Sequence, residues 1–325
     1  MLSTFRICAV AAAMALPSLA AAAAPAAVPS AEAPVTATLL FDPPLGQPMR
    51  YRYEKKKSDG ARTQSEWSVN SYMFAARDGG YRLTITPLSS SRASLALGAS
   101  PKVQAAVKRP YTLLLDADAR FVGIEDEEAV WDATVDVLGA VLLATRADKA
   151  GDRAAVEGYV GMMRGLPTEA RLAMLVEVAS PIVEFANTEN TIGKPLVSET
   201  EQESLIGTIK KQVTIVLDKV EGGSAFISVK SSLPRAEIDR VLAGLVEQGF
   251  VVKPAGGGKP LPSDEEAGAG LVSAFEHFAH DGDAIFEVAT DTGLLRRFRS
   301  VDTLEMREAG ETSRSVTSVS LERID

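Results

Sequence analysis

The chain reads as an α+β protein: an antiparallel, curved sheet, or two related β-meander lobes, covered by a central helical insert and by two later helices. Three observations predict this. Apolar and polar residues alternate from Tyr51 to about Asp126 and again from about Leu196, the period of strands with one buried face. Between Glu127 and about Ala186 the apolar spacing changes to three and four, the period of amphipathic helices. Turn signals carrying glycine and an acid separate the alternating runs, at Ser58-Asp59-Gly60, Asp78-Gly79-Gly80, Glu221-Gly222-Gly223 and Asp291-Thr292-Gly293.

The first segment has one cation, Arg6, then an apolar stretch from Ile7 to about Leu16 and a run of small residues. That pattern predicts a signal peptide over residues 1–24, too short in its apolar core to span a bilayer. Residues 25–40, rich in Ala and Pro, read as a disordered leader. Cys8 is the only cysteine and precedes most of the apolar core, so neither lipidation nor a disulfide is expected. The expected location is the periplasm or the extracellular space.

The domain from residue 41 to 325 divides by period. Over 41–126, strands are expected on either side of Gly60, on either side of Gly79, and on either side of Asp116-Ala117-Asp118. Tyr81, Leu83 and Ile85 alternate with Arg82, Thr84 and Thr86, which puts one face on a core. Over 127–190, one helix carries Val130, Thr134, Val137, Leu138, Val141 and Leu142. A second carries Val156, Tyr159, Val160 and Met163, and a third Leu172, Leu175, Val176 and Ala179, broken at Pro181. Over 191–325, a hairpin surrounds Gly222, and Pro234 opens a helix bearing Ile238, Val241, Leu242 and Leu245. Ser263 and Glu266 make a capping box for a last helix through Phe275 and Phe278 to Gly282. Two further strands flank Gly293 and "SVTSVSLERI" ends the chain. Laying Asp118 on Asp291 puts Leu113 on Phe286, Leu115 on Val288 and Phe121 on Leu294, so both segments would face one side of a sheet. Trp67 and Trp131 are expected core anchors.

Most chemistry is absent. Asp291-Thr292-Gly293 has the tripeptide of an aspartic protease, but such a site needs a second aspartate to share a proton. The other candidate, Asp116-Ala117-Asp118, lacks Thr-Gly, so both read as corners. Asp116 and Asp118 begin like a calcium loop, but Phe121 stands where glycine is needed. Gly256-Gly257-Gly258-Lys259 lacks phosphate-loop spacing, and Gly222-Gly223-Ser224-Ala225 lacks the last glycine of a nucleophile elbow. His277 and His280 are the only histidines. On a helix they share a face and could hold a metal with a nearby carboxylate, but a polar helix end is the reading preferred and no metal is expected. No cofactor is expected. With 34 Lys and Arg against 43 Asp and Glu, the acidic balance disfavours nucleic acid as partner. The runs Lys55-Lys56-Lys57 and Arg296-Arg297 with Arg299 fit solvated strand faces or a grip on an anionic group.

A signal peptide, a β-meander, Asp-Gly hairpins and helices over a sheet resemble the periplasmic lipoprotein-carrier (LolA-like) half-barrels. The resemblance implies a non-enzymatic binder of a lipid, acyl chain or other apolar ligand between sheet and helices. The apolar parity set Leu83, Ile85, Leu113, Leu115, Val137, Leu138 and Val141 is the candidate lining. The alternatives are a cell-envelope protein-interaction module whose core is filled, and a metal-dependent or hydrolytic enzyme.

Overall fold

The computed structural model describes residues 35–60, 62–91, 100–146, 150–204, 207–234, 236–238, 240, 275–308 and 311–325. The expected signal peptide, the glycine-rich loop at Gly256 and the expected capping box at Ser263 lie outside the described residues. So does most of the helix expected after Pro234, of which residues 236–238 and 240 are helical.

The first strand, β1 (Thr36–Leu39), falls within the segment expected to be a leader. Its Leu39 is 1% exposed, which explains why it is held. The first meander follows as β2 (Pro48–Ser58), β3 (Thr63–Arg77), β4 (Gly80–Ser90), β5 (Tyr111–Asp116) and β6 (Phe121–Ile124), with a short helix α1 (Pro101–Val107) between β4 and β5. The helical insert comprises α2 (Glu127–Arg146), α3 (Ala150–Arg164), α4 (Thr168–Val176) and α5 (Ser180–Val183). Strand β7 (Thr188–Thr191) pairs with β1 in a separate ribbon. The second meander is β8 (Leu196–Ser204), β9 (Gly207–Glu221), β10 (Ser224–Ser232), β11 (Phe275–Ala289), β12 (Leu295–Glu308) and β13 (Glu311–Arg323).

The two meanders form one open, curved, antiparallel sheet of 11 strands in the order β6-β5-β4-β3-β2-β13-β12-β11-β10-β9-β8. The seam is β2 against β13, with Lys57 opposite Thr317 and Tyr53 opposite Leu321. The positions that the two halves share in sequence fall on one face. Leu113, Leu115, Phe286, Val288 and Leu294 are all buried in the main core, and Phe121 packs against it.

That core gathers the inner face of the sheet under α4, α5 and the β1–β7 ribbon. Its largest members are Tyr51, Tyr72, Phe74 and Phe286, and Phe41 meets Phe74 and Tyr81 edge to face. The Tyr51 hydroxyl donates to the Leu295 carbonyl at 2.6 Å, which satisfies its one polar atom. A second cluster joins α2 and α3 through Val130, Trp131, Val135 and Met163. Trp131 is the anchor expected, and its indole N–H donates to the Met163 carbonyl at 3.0 Å. The buried stripe of α2 is Val130, Trp131 and Val135, about one residue round from the expected one, because Trp131 turns inward. Gly139 lets the helices close, since a Cβ there would meet a Val160 methyl at 3.0 Å.

Three expectations are corrected. The segment Phe275–Gly282 is not helix; it begins β11, paired with β10 from Asp281 onward and with β12 throughout. Local helical spacing lost to ladder partners supplied by distant sequence. Trp67 is no core anchor. It is 36% exposed, with the Arg52 guanidinium 5.6 Å from its ring, because its neighbour Glu66 takes the inward parity. Third, a helical turn no longer relates His277 to His280.

The corner Asp291-Thr292-Gly293 is structural. Gly293 has φ +66°, its N–H donates to the Ala289 carbonyl at 2.9 Å, and Thr292 accepts from Asp42 at 3.1 Å. A Cβ on Gly293 would lie 2.6 Å from the Leu40 carbonyl oxygen. Gly293→Ala is therefore expected to lower stability by about 2 kcal/mol through strain and displacement of the β1 segment. A urea melt reads it; a midpoint equal to that of the native chain would refute the close approach.

Candidate functional site

The inner face of the sheet changes character along its strands. The alternation that carries it can be followed row by row through the register. One row runs Leu217, Ile227, Phe286, Phe298, Leu321 and Tyr53, all buried. The next, Ile215, Val229, Ala284, Ser300, Val319 and Lys55, has smaller side chains and ends in a charge. The third is Val213, Ser231, Gly282, Asp302, Thr317 and Lys57, and the fourth includes Lys211, His280 and Leu304. The same parity that gives aromatic rings at one end of the face gives lysine, histidine and aspartate at the other.

This polar end is tight and short of hydrogen bonds. Gly282 sits between Ser231 and Asp302, and both side chains lean over it: a Cβ there would lie 2.5 Å from Ser231 Oγ and 2.7 Å from Asp302 Oδ1. Asp302 Oδ1 and His280 Nδ1 are buried atoms with no hydrogen-bond partner. An unmet buried polar atom costs about 1–3 kcal/mol, so such atoms call for an explanation. Burial pushes the Asp302 carboxyl up to about 6, against the charges of Lys211 and Lys55, which pull it down. It pushes His280 down to about 4, with Lys211 adding to the effect. Burial also lowers Lys211, which Asp302 counteracts. At neutral pH the imidazole is therefore uncharged. Lys55 reaches Glu177, at the end of α4, with N···O 3.6 Å, so the helical insert is tied to the sheet where the apolar rows give way to polar ones.

The expected lining set does not converge on this place. Leu83, Ile85, Leu113 and Leu115 are at most 1% exposed and lie in the main core beneath the first meander. Leu138 packs in the second cluster with Trp131, and Val137 and Val141 are half-buried on α2. Two shallow concavities mark the described surface. One of about 270 Å³ is lined by Glu287, Arg296, Arg297, Glu322, Arg323 and Asp325. The other, about 360 Å³, lies by Val197, Ser198, Glu199, Gln212 and Pro234. Neither touches the seven expected residues.

The other candidate groups take structural roles. Asp116 Oδ1 accepts from the Asp118 and Arg120 amides at 2.9 Å each, which makes it a turn cap. Arg297 pairs with Glu322 at 2.6 Å, and Arg296 donates to Ser224 Oγ at 2.8 Å. His277 and His280 lie on β11, where a spacing of three no longer selects one face. Among the described residues no group of three or more His, Cys, Asp or Glu is placed to hold a metal ion. No described helix is long and apolar enough to cross a membrane.

No family model matches the chain. No curated protein matches it either. Structural comparison finds a lipovitellin structure solved for its lipid–protein interactions, 7% identical, with a TM-score of 0.43; the match covers 87% of this chain and 25% of that one. This chain thus spans about a quarter of the lipovitellin chain it matches. It also finds Rv2717c from M. tuberculosis, 10% identical, with a TM-score of 0.21, covering 88% of this chain and 93% of that one.

Proposed function

We propose that this is an exported, non-enzymatic protein that binds an amphipathic ligand, a lipid or acyl chain, on the inner face of its sheet beside α4 and α5. One observation carries the reading. A single continuous face passes from a buried row bearing aromatic rings, through a row of mostly smaller aliphatic side chains, to a polar end whose buried Asp302 and His280 atoms lack partners. A ligand with an apolar chain and a polar end matches that gradient, the usual logic of a site with an apolar wall and a few placed polar groups. The architecture fits the lipoprotein-carrier resemblance, in which helices cover an open curved sheet. The signal peptide supports export. The ligand surface lies in the second meander, because the four strand residues first expected to line it, Leu83, Ile85, Leu113 and Leu115, are closed by their own packing.

That closure also favours a second reading. Leu83, Leu113 and Leu115 are fully buried among aromatic neighbours, as in an envelope interaction module that needs no ligand.

Native mass spectrometry of the mature protein purified from a bacterial periplasm separates the two. A stoichiometric adduct, released on denaturation and recovered by lipid extraction, is expected. Bare protein in repeated preparations, together with no uptake of added fatty acids or monoacylglycerols, would overturn the binder and leave the module.

A further inference from the structure

Resting on that reading, we infer that the polar end around Gly282 is a head-group subsite for an uncharged, hydroxyl-bearing group, such as the glycerol of a monoacylglycerol. The charge inventory points there. The cations on the inward parity at this end are Lys55, Lys57 and Lys211. The carboxylates are Asp302, Glu66 opposite Lys55, and Glu177 paired with Lys55. Among the described residues of this inner face the two signs balance, Asp281 and Asp283 acting on His280 and Asp302 only from the exposed outer face of β11, so a charged head group would find no surplus of opposite charge beside it. It would also lose hydration on entering a place where burial already disfavours the charged forms of both Lys211 and Asp302.

What the subsite lacks is hydrogen-bond partners. Asp302 Oδ1 and His280 Nδ1 come from adjacent strands, β12 and β11, about 5 Å apart. An ionised carboxylate accepts only, whereas a neutral imidazole nitrogen donates or accepts according to its tautomer. A hydroxyl does both, so vicinal hydroxyls answer both atoms. Ser231 Oγ stands on the far side of Gly282, and the glycine lets it and the Asp302 carboxylate approach over the strand where a larger residue would clash. A hydrogen-bonding site discriminates strongly against an analogue that leaves its polar atoms unpaired.

The test uses the mature full-length chain and three ligands of equal chain length: a monoacylglycerol, a fatty acid and an alkylamine. Each competes with a fluorescent acyl probe. The monoacylglycerol is expected to bind about tenfold more tightly than either charged ligand, a difference of about 1.4 kcal/mol. Asp302→Leu should reduce that preference to about twofold, while Asp302→Asn, which still hydrogen-bonds, should retain most of it. If Asp302→Leu does not fold, His280→Phe reads the same loss. Equal or tighter binding of the fatty acid or the alkylamine would overturn the head-group assignment and leave the binder intact. So would a preference that survives both Asp302→Leu and His280→Phe. Failure of all three ligands to displace a bound probe, or of the probe to bind, would overturn the functional reading and this inference with it.

Discussion

Replacing Phe286 by alanine is expected to lower stability by about 4 kcal/mol, among the largest effects of a single core truncation in this chain. Phe286 is 2% exposed and lies on β11, an interior strand of the sheet. Its ring meets Phe185, just beyond α5, edge to face at 4.9 Å, and Phe298 on β12 at 4.7 Å. It therefore joins the helical insert to the sheet as well as one strand to the next. Aromatic pairs of this kind add about 0.5–1.5 kcal/mol beyond the area they bury. The cavity left behind is flanked by two rings that cannot both collapse into it. Urea unfolding should show a lower midpoint with an unchanged slope. Phe286→Leu, which keeps most of the volume, should cost about 1.5 kcal/mol. A loss below about 1 kcal/mol for alanine would mean that helix and sheet do not share this contact.

The second large effect is on pH dependence. Glu184 follows α5 and accepts from Ser180 Oγ at 3.4 Å. Burial pushes its carboxyl up to about 8 from an unfolded value of 4.5, and the Ser180 bond opposes this only in part. Below about pH 4.5 both states hold the proton, and the protonated group's contribution to stability is fully present. As pH rises the unfolded chain gives up the proton first while the native state keeps it. Unfolding then releases a proton, so stability declines with pH until the native group ionises near 8. The decline expected from Glu184 alone is about 1–2 kcal/mol in total, well under the roughly 5 kcal/mol that about 1.4 kcal/mol per unit would give from pH 4.5 to 8, because the side chain keeps some contact with solvent. Asp302, pushed up to about 6, acts in the same direction below pH 6, while His280, pushed down to about 4, acts in the opposite one. The interval from pH 6.5 to 8 therefore isolates Glu184. In that interval Glu184→Gln should flatten the profile and be the more stable protein at pH 8. Parallel profiles for the two proteins would rule out a buried, protonated Glu184.

Much of this architecture could be read from local sequence because its signals are local. Gly79, Gly222 and Gly293 hold positive φ at the hairpin corners, a conformation that favours glycine. Inward parity was legible wherever apolar residues alternated, hence the burial of Leu83, Ile85, Leu113 and Leu115. What escaped was non-local. The run through Phe275 and Phe278 has the spacing of a helix and became strand because β10 and β12 offered it ladders. The polar end was hidden for a related reason. Lys211, His280 and Asp302 come from three strands and meet only through the register. A signal was present even so: Lys211 falls two residues before Val213, and Asp302 four residues after Phe298, on parities whose neighbouring positions are uncharged. A charge on the core parity of a strand marks a place where burial serves something other than the core.

The pairing of β2 with β13 bears on how the molecule is made. The strand nearest the start of the sheet waits for the strand at the end of the chain. The first meander therefore carries an unpaired edge at β2 until β13, the last strand of the sheet in sequence, is available. Contacts of such long sequence separation form slowly, and open edges invite pairing with the wrong chain. Chains that lose their last strand should consequently be insoluble or degraded rather than merely less stable. Closing the sheet becomes the committing event of folding, one that cannot occur before β13 has been made.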